Sequence, residues 1–170
     1  VRLPLVELTG GEPLLQKASL PLMRELCDAG FTVLIETSGA HDIAGIDPRV
    51  RRIVDLKCPG SGESEKIRWQ NIPLLRGTDE IKFVICSRED YEWARTAVTT
   101  HRLSEICPVL FSRAAPLTTA QADPSLKPIP AGHHPVDRRQ LAEWIIRDRL
   151  PVRFQLQMHK YIWPADERGV

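Results

Sequence analysis

"VELTGGEPLLQ", Val6 to Gln16, carries an apolar run straight into two adjacent glycines, a glutamate and a proline. A glycine inside a regular element costs roughly 0.5–1 kcal/mol relative to alanine, so the pair needs a reason. A tight turn is one, and the close approach of a ligand to bare backbone is another. The stretch reads as a buried strand ending in a polar, glycine-rich mouth, and this reading repeats down the chain. Strand-like runs recur as RLPLVEL near 2–8, TVLIET at 32–37, RIVDLK at 52–57, EIKFVIC at 80–86, PVLFS at 108–112 and VRFQLQ at 152–157. Their near-continuously apolar centres predict strands covered on both faces.

Helical patterns fall between them. SLPLMRELCDAG places Leu20, Met23, Leu26 and Cys27 on one stripe, with Gly30 as a C-terminal stop. SREDYEWARTAVTTH predicts a helix capped by Ser87, and PVDRRQLAEWIIRDRL sets Leu141, Trp144, Ile145 and Arg149 in helical register. The stretch 66–76 is a poorer helix because Pro73 interrupts it. Six strands alternating with helices predict a parallel α/β sheet or partial barrel. The expected organisation is one domain over 1–170, with a connection rich in Pro, Ala and Thr at 113–135.

The chain has 170 residues, 42% of them hydrophobic, which is enough for one real core. Lys plus Arg number 23 against 22 acidic residues, a net charge of +1 that offers no bulk attraction to nucleic acid or membrane. No apolar run approaches the roughly 20 residues that span a bilayer, so a soluble cytoplasmic protein is expected. Cys27, Cys58, Cys86 and Cys107 lack the close spacing of a zinc or iron–sulfur loop. They are expected to be reduced, with Cys27 and Cys86 filling apolar positions, and no metal ligand is assigned.

Position carries more than composition. The strand runs end in Thr9-Gly10-Gly11-Glu12, Glu36-Thr37-Ser38-Gly39, Asp55-Leu56-Lys57-Cys58, Ser87-Arg88, Ser112-Arg113, and Gln155 through His159. In parallel α/β folds these carboxyl ends converge on one rim, where ligands bind. Helix capping explains Ser87, but not Glu36, Gln155, Gln157 or His159, which sit within or beside strands. After Leu8, bare carbonyls and the Glu12 carboxylate suit an ammonium or amine donor. Both common phosphate-binding glycine fingerprints are absent. A plain structural turn remains the alternative reading of GGEP.

TGGEPLLQ, IETSG, DLKCPGSG, DEIKFVI and the closing RFQLQMHKYIWP…RGV together resemble radical S-adenosylmethionine enzymes. Within that superfamily the chain is similar to the 7-carboxy-7-deazaguanine synthase family of queuosine and deazapurine biosynthesis. The resemblance implies a partial (β/α) TIM-like barrel and a 4Fe–4S cluster held by three cysteines. It also implies S-adenosylmethionine, Mg2+, an electron donor such as flavodoxin, and a homodimer. The implied reaction contracts the ring of 6-carboxy-5,6,7,8-tetrahydropterin with loss of ammonia, a carbon–nitrogen lyase activity. Carried onto this sequence, Gly10, Gly11 and Glu12 hold the methionyl ammonium, and Thr37, Ser38, Lys57, Ser61 and Ser112 serve the cofactor. Thr9, Glu36, Gln155, Gln157 and His159 face the substrate, with Glu36 and His159 as catalytic candidates. Lys57 and Lys82 supply the rim's cations, and Asp55 orients Lys57.

One departure is plain: no C-x3-C-x2-C occurs, and only nine residues precede Gly10. An N-terminally truncated chain, lacking the first strand and cluster loop and inactive alone, is therefore expected. Two rivals remain: a radical enzyme that activates a glycyl-radical partner or modifies a peptide, and a non-catalytic α/β binding module. A phosphate-binding barrel is a weaker third.

Overall fold

In the computed structural model, residues 3–115 and 135–163 are described. Six strands form one sheet: β1 Leu5–Leu8, β2 Thr32–Thr37, β3 Arg51–Asp55, β4 Glu80–Ile85, β5 Val109–Arg113 and β6 Arg153–Gln155. Their order is sequential, β1-β2-β3-β4-β5-β6, and every pairing is parallel. Sequential order is what distinguishes an arc of a barrel from a doubly wound sheet, whose strand order reverses part-way. The arc is open, because β1 and β6 are not paired to each other.

Side-chain alternation assigns the two faces. Val33, Ile35, Val54, Ile81, Phe83, Ile85, Val109 and Phe111 are almost wholly buried and form the main core with Met23, Tyr91, Ala94 and Leu141 from the helices. The intervening positions Glu36, Lys82 and Val84 are only half-buried. Coverage of both faces is thus corrected: helices cover one face, and the other is a polar concave surface. The apolar runs hid this alternation because β-branched residues also fill its lower positions, such as Ile53.

Helices α1 Ser19–Asp28, α2 Arg88–Thr100 and α3 Arg138–Arg147 supply the outer layer. Gly30 follows α1 at φ +84, the left-handed stop expected of it, while Met23 is buried and Leu20 is 37% exposed. Ser87 caps α2, its hydroxyl accepting from the Asp90 amide at 3.3 Å. Asp137 and Gln140 close a capping box on α3. Arg149 is not in helical register, since α3 ends at Arg147 and Arg149 turns left-handed at φ 51. Helices also fail to alternate with every strand. Residues 38–50 cross from β2 to β3 without one, and buried Ile43, Ile46 and Val50 fill its place. Between β3 and β4 lie only 3-10 turns, the longest being Trp69–Leu74 around Pro73.

At the opposite end of the sheet from the polar rim, Asp79 is fully buried. Its carboxylate accepts from the Arg52 amide at 3.0 Å, from Arg52 Nη2 at 2.6 Å and from the Arg76 amide at 2.9 Å. The proline-rich connection at 113–135 lies mostly outside the described residues. The expected single domain over 1–170 likewise extends beyond them.

Candidate active site

The concave face carries its charges as cross-strand neighbours. Register sets Asp55 beside Lys82, and Val84 beside Ser112, which in turn pairs with Gln155. Lys82 Nζ donates to Glu36 Oε1 at 2.7 Å, and Lys57 Nζ to Asp55 Oδ2 at 2.5 Å. Two acids and two bases therefore gather at the mouth ends of β2, β3 and β4 and neutralise one another. Asp55 orients Lys57 as expected. Asp55 Oδ1 and Ser112 Oγ are buried and have no hydrogen-bond partner. Buried polar atoms are nearly always satisfied, so two orphans on one face mark where water or a ligand group completes the bonding.

Glu7 enters this set without having been singled out in the sequence. Burial, followed by the nearby Glu36 charge, pushes its carboxyl up, while Lys82 opposes. Its position at i−2 from Thr9 on β1 was the available signal.

At the end of β1, Gly10 and Gly11 adopt φ +79 and +41. A Cβ built on either would meet nothing within 4 Å, so backbone conformation, not crowding, demands glycine there. VELTGGEPLLQ therefore makes a left-handed double turn, which leaves bare backbone at the strand end. Thr9, Gly10, Gly11 and Glu12 line an open cleft of about 490 Å3 together with Glu7 and Gln16, within the size range of small-molecule sites.

Glu12 uses its oxygens inside the protein. Oε1 accepts from the Leu14 amide at 3.1 Å and the Thr37 hydroxyl at 2.9 Å; Oε2 accepts from the Ser38 amide at 2.8 Å and its hydroxyl at 2.7 Å. Burial pushes this carboxyl up, but the Ser38, Leu14 and Thr37 donors together outweigh it and hold it below the ordinary range. Glu12 thus staples the loop after β1 to the loop after β2, and Thr37 and Ser38 are its partners in that staple.

Ser61 orders its own loop: its hydroxyl donates to the Cys58 carbonyl at 2.6 Å and accepts from the Glu63 amide at 3.1 Å. Gln155 is the last residue of β6 and exposed. Gln157 and His159 do not belong to that strand, a correction to the reading of VRFQLQ. The ladder stops at Gln155, and His159 opens a short helix, α4 His159–Ile162. Gln155 and Gln157 line a cavity of about 30 Å3 with Arg113, Arg138 and Tyr161, room for about one water. Arg113 and Arg138 are cations that the sequence reading did not assign.

The cysteines are free; Cys58 and Cys107 are buried, and partly buried Cys27 packs against the core as expected. Burial first, then the Asp90 charge, pushes the Cys58 thiol well up and Cys86 up to about 11. Among the described residues no group of three His, Cys, Asp or Glu is placed to hold a metal ion.

No family model matches the chain. It is 45% identical over 168 residues to the 7-carboxy-7-deazaguanine synthase of Koribacter versatilis, an alignment covering 98% of this chain and 72% of that protein. It is 41% identical over 170 residues to the enzyme of the same name from Chlorobaculum tepidum, covering 98% and 69%. The chain belongs to the 7-carboxy-7-deazaguanine synthase family.

The fold agrees with that membership. QueE from Escherichia coli superposes with a TM-score of 0.61 at 21% identity, covering 91% of this chain and 56% of that one. Streptococcus suis SuiB bound to S-adenosylmethionine gives 0.59 at 16%, covering 90% and 39%. These likenesses show a shared fold, the parallel α/β arc. The residues present do not fit an iron–sulfur cluster: the four thiols are dispersed, and burial is the main cause pushing all four up. The polar atoms left open to a small molecule are Ser112 Oγ and Asp55 Oδ1.

Proposed function

We propose that this chain forms the pocket in which 6-carboxy-5,6,7,8-tetrahydropterin is contracted to 7-carboxy-7-deazaguanine with loss of ammonia, in deazapurine biosynthesis. One observation carries the reading: a neutralised row of acids and bases, flanked by two orphaned polar atoms, lies on the concave face of a parallel arc.

Within it, Glu36 accepts the pterin N–H donors, and a carboxylate does so in bidentate fashion. Lys82 orients Glu36 before substrate enters. Thr9 stands at the end of the neighbouring strand β1, and Gln155, Gln157 and His159 read the far edge of the heterocycle or its carboxylate. Gly10, Gly11 and Glu12, with Thr37 and Ser38 fixed by Glu12, shape the seat for the methionyl end of S-adenosylmethionine. Lys57, Ser61 and Ser112 complete that seat. When bound, S-adenosylmethionine supplies the hydrogen-abstracting chemistry; this chain's residues bind, orient and neutralise charge around it.

The four dispersed cysteines do not form a cluster site among themselves. Mg2+, an electron donor such as flavodoxin, a homodimer and a cytoplasmic setting complete the proposal by family resemblance. Among the described residues no helix is long and apolar enough to cross a membrane. Turnover of 6-carboxytetrahydropterin by the cluster-loaded enzyme, with ammonia released, is the test. A glycyl radical formed on a partner protein, with the pterin untouched, would overturn it.

A further inference from the structure

A second carboxylate repeats at β3 and β4 what Glu12 does at β1 and β2. Asp90 is 0% exposed and stands third in α2, three residues after the cap Ser87. A residue there ordinarily returns its carboxylate to the cap's own amide. Asp90 does otherwise. Oδ2 accepts from the Cys86 amide at 3.0 Å, just after β4, and Oδ1 reaches across to the Gly60 amide at 2.7 Å, in the loop after β3. Burying a charge is costly unless it is well paired, and here the partners are two backbone amides and a helix N-terminus.

Gly60 sits in the 3-10 turn Pro59–Ser61, which Ser61 closes by bonding to Cys58. The turn follows Lys57 directly, so its placement decides where Lys57 and Ser61 stand on the rim. None of its residues is part of the regular ladder. Ser61 bonds locally, to Cys58 and Glu63, whereas the Asp90 carboxylate holds the turn's backbone at Gly60 from 30 residues away.

We propose that Asp90 is a positioning residue: its carboxylate ties the Cys58–Gly62 turn to the end of β4 and thereby sets the enzyme's affinity for S-adenosylmethionine. The inference rests on the reading that this turn borders the cofactor seat. Two neighbouring pairs of strand ends, β1 with β2 and β3 with β4, are then each locked by one buried or half-buried acid. The β3–β4 connection, which holds only 3-10 turns, has its mouth end held in place by Asp90.

Amide hydrogen exchange and cofactor binding test it together. Asp90→Ala removes both bonds, Asp90→Asn leaves one acceptor, and Ser87→Ala weakens the start of α2 without touching the turn. In the Ala variant the Gly60 amide is expected to exchange at least tenfold faster than in Ser87→Ala. In the cluster-loaded enzyme the Kd for S-adenosylmethionine is expected to rise at least tenfold over that of Ser87→Ala. If Asp90→Ala does not fold, Asp90→Asn is read at the same amide and by the same titration. Gly60 exchange no faster than in Ser87→Ala would overturn the proposal, as would an equal Kd in the two variants. Absence of S-adenosylmethionine binding by the wild-type holoenzyme would instead sink the reading of the site, and the exchange arm would still decide whether Asp90 holds the turn.

Discussion

Lys82 on β4 reaches over β3 to Glu36 on β2, closing a 2.7 Å ion pair between strands that are not neighbours. Both side chains are partly exposed, so the pair is accessible to whatever enters the concave face. A pterin that presents N–H donors competes with Lys82 for the same carboxylate. Glu36→Gln is expected to weaken pterin binding roughly 10- to 100-fold, the span of a hydrogen bond to a charged group. S-adenosylmethionine binding should change far less. Separate titrations of the two ligands check this, and equal losses would remove Glu36 from its role.

Ser112 makes the opposite kind of prediction. Its hydroxyl is fully buried without a partner, and leaving a buried polar group unsatisfied costs about 1–3 kcal/mol. Ser112→Ala is therefore expected to raise the unfolding free energy of the ligand-free protein by about 1 kcal/mol while weakening cofactor affinity several-fold. Denaturant titration and ligand titration read the two effects. A destabilised Ala variant would mean that the hydroxyl already has a partner.

Much of this arrangement was legible in the chain. Thr32–Thr37 matches its predicted strand, and Ser87 caps α2 as expected, because both signals are local. The polar residues ending apolar strands marked the rim for the same reason. What escaped were partners far apart in sequence: Lys82 with Glu36, Asp90 with Gly60, Asp79 with Arg52. The alternation in RFQLQ continues past the point where β5 stops offering partners, so the pattern carried the strand to Gln157 while the ladder ends at Gln155. A strand's end is set by its neighbour, and no local pattern records the neighbour.

The Glu12 staple should be sensitive to acid. Its carboxyl titrates below its ordinary value of 4.5 in the folded protein. A depressed folded value contributes stability above the unfolded value, and that contribution is lost as pH falls from about 4.5 through the folded value. Glu12→Gln should flatten that part of the stability-against-pH curve and leave the curve above pH 6 parallel to wild type. Thermal unfolding between pH 3 and 7 measures it; identical curves would show that Glu12 does not titrate with folding.

Gly39 and Gly10 separate two reasons for glycine. Both have positive φ, +73 and +79, but a Cβ on Gly39 would lie 2.9 Å from Val54 Cγ1 and 3.0 Å from Leu56 Cδ2, whereas one on Gly10 meets nothing within 4 Å. Gly10→Ala should cost about 1–2 kcal/mol, the left-handed penalty alone. Gly39→Ala should cost roughly 2–4 kcal/mol, with overpacking added. Equal losses in denaturant unfolding would mean that Val54 and Leu56 yield freely.

Asp79 holds the end of the sheet opposite the rim, and its replacement should be the most damaging to stability. The Arg52 side chain beside it is 7% exposed, and its Nη2 also donates to the Leu74 carbonyl at 2.8 Å, so removing the acid strands a buried cation that cannot swing to water. Breaking a buried pair from one side costs about 3–5 kcal/mol, most of it the uncompensated charge left behind. Asp79→Ala is expected to lose that much, measured by denaturant unfolding. Pairing it with Arg52→Met should recover a large part, because the stranded charge goes with the arginine. If the double variant is as unstable as the single one, the loss comes instead from the two backbone amides of Arg52 and Arg76 that Asp79 also satisfies.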